Sequence, residues 1–257
     1  MSRGVFTPGS LVIPELGRPG GLSGPGGVAL AQRNTSRRWW LLVLLLPLLL
    51  LLFLRDDDDS SASGLPGAVL VGARGPGCVR LVVAPDLSDS MSDYSQAREA
   101  ALQELLPWAR TQLRDDDELE IINWAGTAAT VLPPTAMKDY ASMYIAQASV
   151  AGGTALGPVV DTIAAQEAST CRTHLVLVSD GEIADLSYAA DRDLLAAARV
   201  EQVSLLMPSP SMDPPGEFTA AFPYASTLSF DGMDPDATGL AFAEAVAMST
   251  GQEVQGR

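Results

Sequence analysis

The chain has one histidine (His174), one lysine (Lys138) and two cysteines (Cys78 and Cys171) in 257 residues. Each scarcity excludes a kind of chemistry. None of these imidazole and thiol groups lies on the loops that follow the strands singled out below, so the nitrogen and sulfur donors that select zinc are lacking there. His174 opens an apolar run that reads as a buried strand, the wrong end of a sheet for a Ser-His-Asp arrangement, and it is read as structural. Lys138 follows no G-x-x-x-x-G-K-[ST] phosphate loop. Bases are also scarce, 16 Lys and Arg against 31 Asp and Glu. Such a surface repels phosphate backbones, which excludes nucleic acid as a partner, and attracts cations and basic proteins.

Only one long hydrophobic run is present. Trp39–Leu54 carries no charge, follows Arg37 and Arg38, and ends at Arg55 and the four aspartates Asp56 to Asp59. Sixteen helical residues reach about 24 Å, so they span a bilayer core with some thinning and arginine snorkelling. A buried soluble helix is the alternative, but the run has no polar face to offer water. Residues 1–38 hold five arginines and Glu15, so the positive-inside rule puts the N-terminus in the cytoplasm and the rest outside, at a single-pass cell membrane anchor. A cleaved signal peptide competes, because small residues follow at Ser61-Ala62-Ser63-Gly64. Ser36-Arg37-Arg38-Trp39-Trp40-Leu41 also resembles a twin-arginine export signal. The charged sequence directly after Leu54 and the Leu-rich core favour the uncleaved anchor. Residues 56–257 then carry a net charge of −20.

Composition divides the chain further. Residues 1–38 are Gly-, Pro- and Ser-rich without apolar periodicity and read as a disordered cytoplasmic tail. Residues 55–77 read as an acidic, Gly/Pro spacer, interrupted by Ala68-Val69-Leu70-Val71, a short edge strand or nothing. Residues 78–257 read as one domain. Within it, strand signals at Val79 to Ala84, Glu118 to Trp124, Thr127 to Leu132, His174 to Ser179, Val203 to Met207 and Thr227 to Phe230 alternate with helical ones. The helical signals lie at Tyr94 to Leu113 with a kink at Pro107, Ala136 to Ala148, Leu156 to Ala168, Ala189 to Val200 and Ala237 to Thr250. Ala125-Gly126 reads as a hairpin turn. Such alternation predicts an α/β, doubly wound, mainly parallel sheet with helices on both faces.

Ligands of such sheets bind beyond the carboxyl ends of the strands. Those loops hold Asp86-Leu87-Ser88-Asp89-Ser90, Gly153-Thr154 and Asp180-Gly181. Taken singly, the serines and Thr154 read as helix caps and Asp180-Gly181 as a turn. Caps alone, however, do not require aspartates after two different apolar strands with Thr154 between them. Asp86 invites comparison with aspartyl-phosphate phosphatases, but Ser88 stands where those carry a second Asp. Asp56 to Asp59 reads as a solvated spacer and Asp115 to Asp117 as a polar loop. Neither has the spacing of an EF-hand.

In this order and on these loops, Asp86-x-Ser88-x-Ser90, Thr154 and Asp180-Gly181 resemble the metal-ion-dependent adhesion site of von Willebrand factor A domains, over roughly residues 78 to 250. The resemblance implies one antiparallel edge strand in the sheet. It also implies that Ser88 and Ser90 bind a metal through their hydroxyls, that Thr154 binds directly or through water, and that Asp86 and Asp180 act through bound waters. Mg²⁺, or Mn²⁺, suits such a shell of hard oxygens. The expected function is binding, not catalysis: a partner protein supplies a carboxylate to the metal. A recruitment or sensor module working through its acidic surface is the alternative, and a hydrolase a distant third. If the strands before Asp86 and Asp180 are neighbours, as in that family, Cys78 and Cys171 come within disulfide reach, two free buried thiols being the other outcome.

Overall fold

A computed structural model describes residues 64–141, 150 and 152–256. The tail 1–38 and the run Trp39–Leu54 lie outside the described residues. Among the described residues no helix is long and apolar enough to cross a membrane.

Every residue of the strand Val79–Pro85 is buried, as expected of a central parallel strand covered on both faces. The named strands are β1 (Ala68–Val71), β2 (Val79–Pro85), β3 (Glu118–Trp124), β4 (Ala128–Ala136), β5 (Arg172–Val178), β6 (Val200–Met207), β7 (Ser226–Ser229) and β8 (Glu253–Gly256). Six form one sheet in the order β4-β3-β2-β5-β6-β7. Its pairings are parallel except for the hairpin β3–β4, which is antiparallel at the edge. The helices are α1 (Ser95–Gln112), α2 (Gly157–Ala164), α3 (Leu186–Ala189), α4 (Arg192–Ala197), α5 (Gly216–Ala221) and α6 (Pro235–Thr250).

Alternation along the strands sends side chains to two cores. Leu81, Val83, Val176, Val178 and Leu206 meet Leu105 of α1 and Phe242 and Val246 of α6. Val82, Ala84, Ile122, Leu175 and Leu177 meet Val159, Val160 and Ile163 of α2. Local chemistry sets the helix ends. Asp234 accepts the amide of Asp236 ahead of Pro235, and Gly251 closes α6 at φ 73°, a left-handed conformation that glycine adopts without steric cost.

Two segments differ from the sequence reading, and two others are settled in more detail than it gave. No helix begins at Ala136: β4 runs on to that residue and a 3-10 turn spans Met137–Asp139. The amides of Met137 and Lys138 are taken by the carbonyls of Asp117 and Asp115, and residues 142–149 lie outside the described residues. The region Ala189 to Val200 is broken into α3 and α4, because Asp191 accepts the amides of Asp193 and Leu194 and starts a new helix. Ala68–Val71 is a strand paired with β8 in a separate antiparallel sheet. It packs with the domain, since the Trp108 indole donates to the Ala68 carbonyl at 2.8 Å and Leu65 is fully buried. Finally, Asp117 is not part of a solvated loop. It is fully buried, accepts the amides of Val79 and Arg114 at 2.9 and 2.6 Å, and pairs with Arg74.

Candidate metal centre

Four backbone hydrogen bonds join the loops at the carboxyl edge into a ring. Asp86 N donates to Val178 O at 2.9 Å, Leu87 N to Trp124 O at 2.7 Å, Ala155 N to Ala125 O at 2.8 Å, and Ala184 N to Thr154 O at 2.8 Å. The β2, β3, Thr154 and Asp180 loops therefore hold one another in sequence. Without the adjacency of β3, β2 and β5 these residues would lie on unrelated turns.

Inside the ring, Asp86 is fully buried. Its Oδ1 accepts the Ser88 amide at 2.8 Å and its Oδ2 accepts the Ser179 hydroxyl at 2.7 Å. Burial pushes its pKa up, against the pull of those bonds, and neighbouring Asp180 adds to the rise. The Ser88 and Ser90 hydroxyls lie 3.2 Å apart. Ser88 does not cap the turn that follows it, so its hydroxyl is left facing Ser90. Thr154 does not cap α2 either, because Asp185 takes the amides of Leu156 and Gly157 at 2.7 and 2.8 Å. Asp180 does form a turn, accepting the Glu182 amide at 3.0 Å, and the Ser179 hydroxyl lies 3.4 Å from the same oxygen. Side-chain bonds thus connect Asp86, Ser179 and Asp180, and Ser88 with Ser90, whereas Thr154 joins through its backbone carbonyl.

The donors fit a hard divalent cation in kind. All are oxygens, two are carboxylates, and among the described residues neither Asp86 nor Asp180 has an ion-pair partner. The guanidinium of Arg98, buried in α1, donates to the Asp86 carbonyl at 2.7 Å and so holds its backbone. Among the described residues no three His, Cys, Asp or Glu side chains form a group able to hold a metal, so binding at this edge would depend on the hydroxyls. An open groove of about 540 Å³ runs beside it, lined by Thr154, Gly181, Glu182, Ile183, Ala184, Pro215 and Glu217.

Three positioning residues escaped the sequence reading. Ser179 looked like the last residue of an apolar strand; a polar residue before Asp180 was the available signal. Asp185 serves a helix start 28 residues earlier, and Arg98 serves a carbonyl 12 residues earlier. Neither leaves a local pattern. His174 is buried in β5 with Nε2 at 2.8 Å from the Ser204 hydroxyl, far along the strand from Asp180.

A disulfide joins Cys78 and Cys171, whose Cα atoms lie 4.7 Å apart. The two residues precede register partners Val79 and Arg172, so the bridge staples β2 to β5 at the end opposite the ring.

No family model matches the sequence, and no curated protein matches it. Solved structures do. A von Willebrand factor type A protein from Catenulispora acidiphila is 20% identical over 72% of this chain and 46% of that one, with a TM-score of 0.50. The conserved hypothetical protein BatB from Bacteroides thetaiotaomicron is 18% identical over 66% of this chain and 98% of that one, at 0.43. Proximal thread matrix protein 1 from the mussel byssus, solved with a zinc-occupied MIDAS motif, is 12% identical over 74% and 50% of the respective chains, at 0.48. With its six-stranded sheet, antiparallel at one edge, and its two helical layers, this chain has the von Willebrand factor type A fold.

Proposed function

We propose that this is a membrane-anchored, extracytoplasmic binding module that captures a protein partner through a divalent metal, Mg²⁺ or Mn²⁺, held by Asp86, Ser88, Ser90, Thr154 and Asp180. The observation that carries the reading is the hydrogen-bonded ring, which gathers at one edge of the sheet hydroxyls and two carboxylates that have no ion-pair partner among the described residues. A bound ion would there supply an electron-poor position for a partner's carboxylate, since its direct protein ligands would be neutral hydroxyls.

The chain's own residues set up that role. Ser179 and the Ser88 amide occupy both oxygens of Asp86, which leaves that carboxylate to act through waters. Arg98 fixes the loop from below, and Asp185 holds the start of α2, so that Thr154 stays against Ala184. Binding and not turnover is favoured, because the sole imidazole is committed to Ser204. The anchor is Trp39–Leu54, with the orientation given by its flanking charges.

Titration calorimetry of the purified chain with Mg²⁺ and Mn²⁺, with and without a carboxylate-bearing peptide, tests this. One ion per chain is expected, tighter with the peptide and lost in Asp86→Ala and Asp180→Ala. Unchanged binding in both variants overturns the adhesion-site reading. Partner capture that survives EDTA and fails in high salt points instead to recruitment by the acidic surface.

A further inference from the structure

Glu120 is fully buried in β3, on the face that also presents Ile122 and Trp124 to α2. Its Oε1 accepts the side-chain amide of Gln166, which lies just past α2. The other two atoms of this contact, Glu120 Oε2 and Gln166 Oε1, are both shut off from water and have no hydrogen-bond partner. Carboxyl and amide groups are planar and similarly spaced, so a carboxyl that already accepts one N–H from an amide can return a second bond to it. An ionised carboxylate has no proton to return and leaves a charged oxygen desolvated without a partner, a costly arrangement. One proton removes both faults. Carried by Oε2, it donates to Gln166 Oε1 and closes a two-bond ring. A metal would need several more oxygens than these two.

We propose that Glu120 is a buried proton-binding site whose neutral carboxyl pairs with the Gln166 amide in a closed ring, latching β3 to the segment after α2, and that loss of this proton releases the latch.

The surroundings agree. Burial pushes the Glu120 carboxyl up to about 7, with Glu118 adding to the rise and the Gln166 bond and Arg80 opposing it. Arg80 of β2 is already committed, to Glu118 Oε2 at 2.6 Å and Glu167 O at 3.4 Å. Glu118 is further held by the Ser169 hydroxyl at 3.0 Å. The neighbouring strand β4 carries no titratable side chain, and Asp161 of α2 is turned outward to the Tyr188 hydroxyl. Arg80 offsets an ionised Glu120 only in part, and burial outweighs it. The sign follows. The folded chain holds this proton more tightly than the unfolded one, so the latch stabilises fully below the ordinary carboxylate range and is lost as pH rises through about 7.

Glu120→Gln copies the protonated state, because its amide can donate to Gln166 Oε1 and still accept from Gln166 Nε2. Thermal unfolding of the full chain and of this variant, followed from about pH 5 to about pH 8.5, is the test. The two melting curves should converge toward the acid end, separate progressively as pH rises to about 7, and run parallel above it, the variant then being the more stable by several degrees. Titration of His174 is common to both and cancels. Curves that stay parallel throughout overturn the proposal. Isotope-edited infrared spectra of the chain labelled at glutamate carboxyls give a second readout that needs no variant. One protonated glutamate carboxyl is expected at about pH 6, and full ionisation there also overturns it.

Discussion

At the amino ends of β2, β3 and β5 most buried polar side chains, Glu120 being the exception, have at least one partner within the chain: Asp117 with Arg74, Arg80 with Glu118, His174 with Ser204, and Cys78 with Cys171. At the carboxyl ends of the same strands, Asp86 and Asp180 have hydroxyls and amides around them but no cation on their carboxylates. One end is arranged so that removing a member leaves a defect. At the other, burial pushes Asp86 toward its protonated form, and among the described residues no ion pair holds its carboxylate. The contrast is between groups that close contacts inside the fold and groups that the proposed function assigns to a ligand.

Breaking the staple should have the largest effect. Replacing both Cys78 and Cys171, which are 93 residues apart, by Ser should cost about 4–5 kcal/mol by loop entropy, as measured by denaturant unfolding. Metal binding at the opposite edge should survive in the fraction that stays folded. Asp117→Ala comes next. It leaves the half-buried Arg74 uncompensated and the amides of Val79 and Arg114 without an acceptor, a loss of about 3–4 kcal/mol. A loss no larger than that of an exposed aspartate would erase the distinction between the two ends.

The third prediction concerns pH. Burial lowers the His174 pKa to about 4, so this residue stays neutral when folded while the unfolded chain protonates near 6.5. Its contribution is complete above 6.5 and declines as pH falls toward 4, by up to about 3 kcal/mol. His174→Gln should flatten that acid limb in a stability–pH series. The smallest effect belongs to the ligand end. Without metal, Asp86→Asn removes a desolvated charge and keeps the shape, so stability should change by less than about 1 kcal/mol, even as calorimetry shows metal affinity lost. A large destabilisation would place Asp86 among the structural groups instead.

Much of this was legible in the chain, unevenly. The strands at β2 and β5 stood out because buried parallel strands are nearly continuous apolar runs, and the loops after them drew attention to Asp86 and Asp180. The hidden parts depend on contacts between distant segments. The pairing of Ala68–Val71 with Glu253–Gly256 spans most of the domain and leaves no periodic trace. Ser179 acquires meaning only when β5 lies beside β2, and Asp117 looked solvated because its neighbours Asp115 and Asp116 are also acidic. The edge strand hid its length as well, since Pro133 and Pro134 suggested an end where β4 continues; prolines are tolerated on an edge.

The small β1–β8 sheet has a mechanical consequence. In an antiparallel pair the two N-terminal ends lie at opposite extremes, and here Ala68 faces Gly256 while Val71 faces Glu253. Tension entering through Gly64 and resisted at α6, which leads into β8, therefore pulls the strands along their length in opposite directions. That is shear, in which the bridging hydrogen bonds share the load, and not peeling, in which they fail one at a time. Under the proposed anchor and partner, an external pull would meet this junction in its stronger geometry.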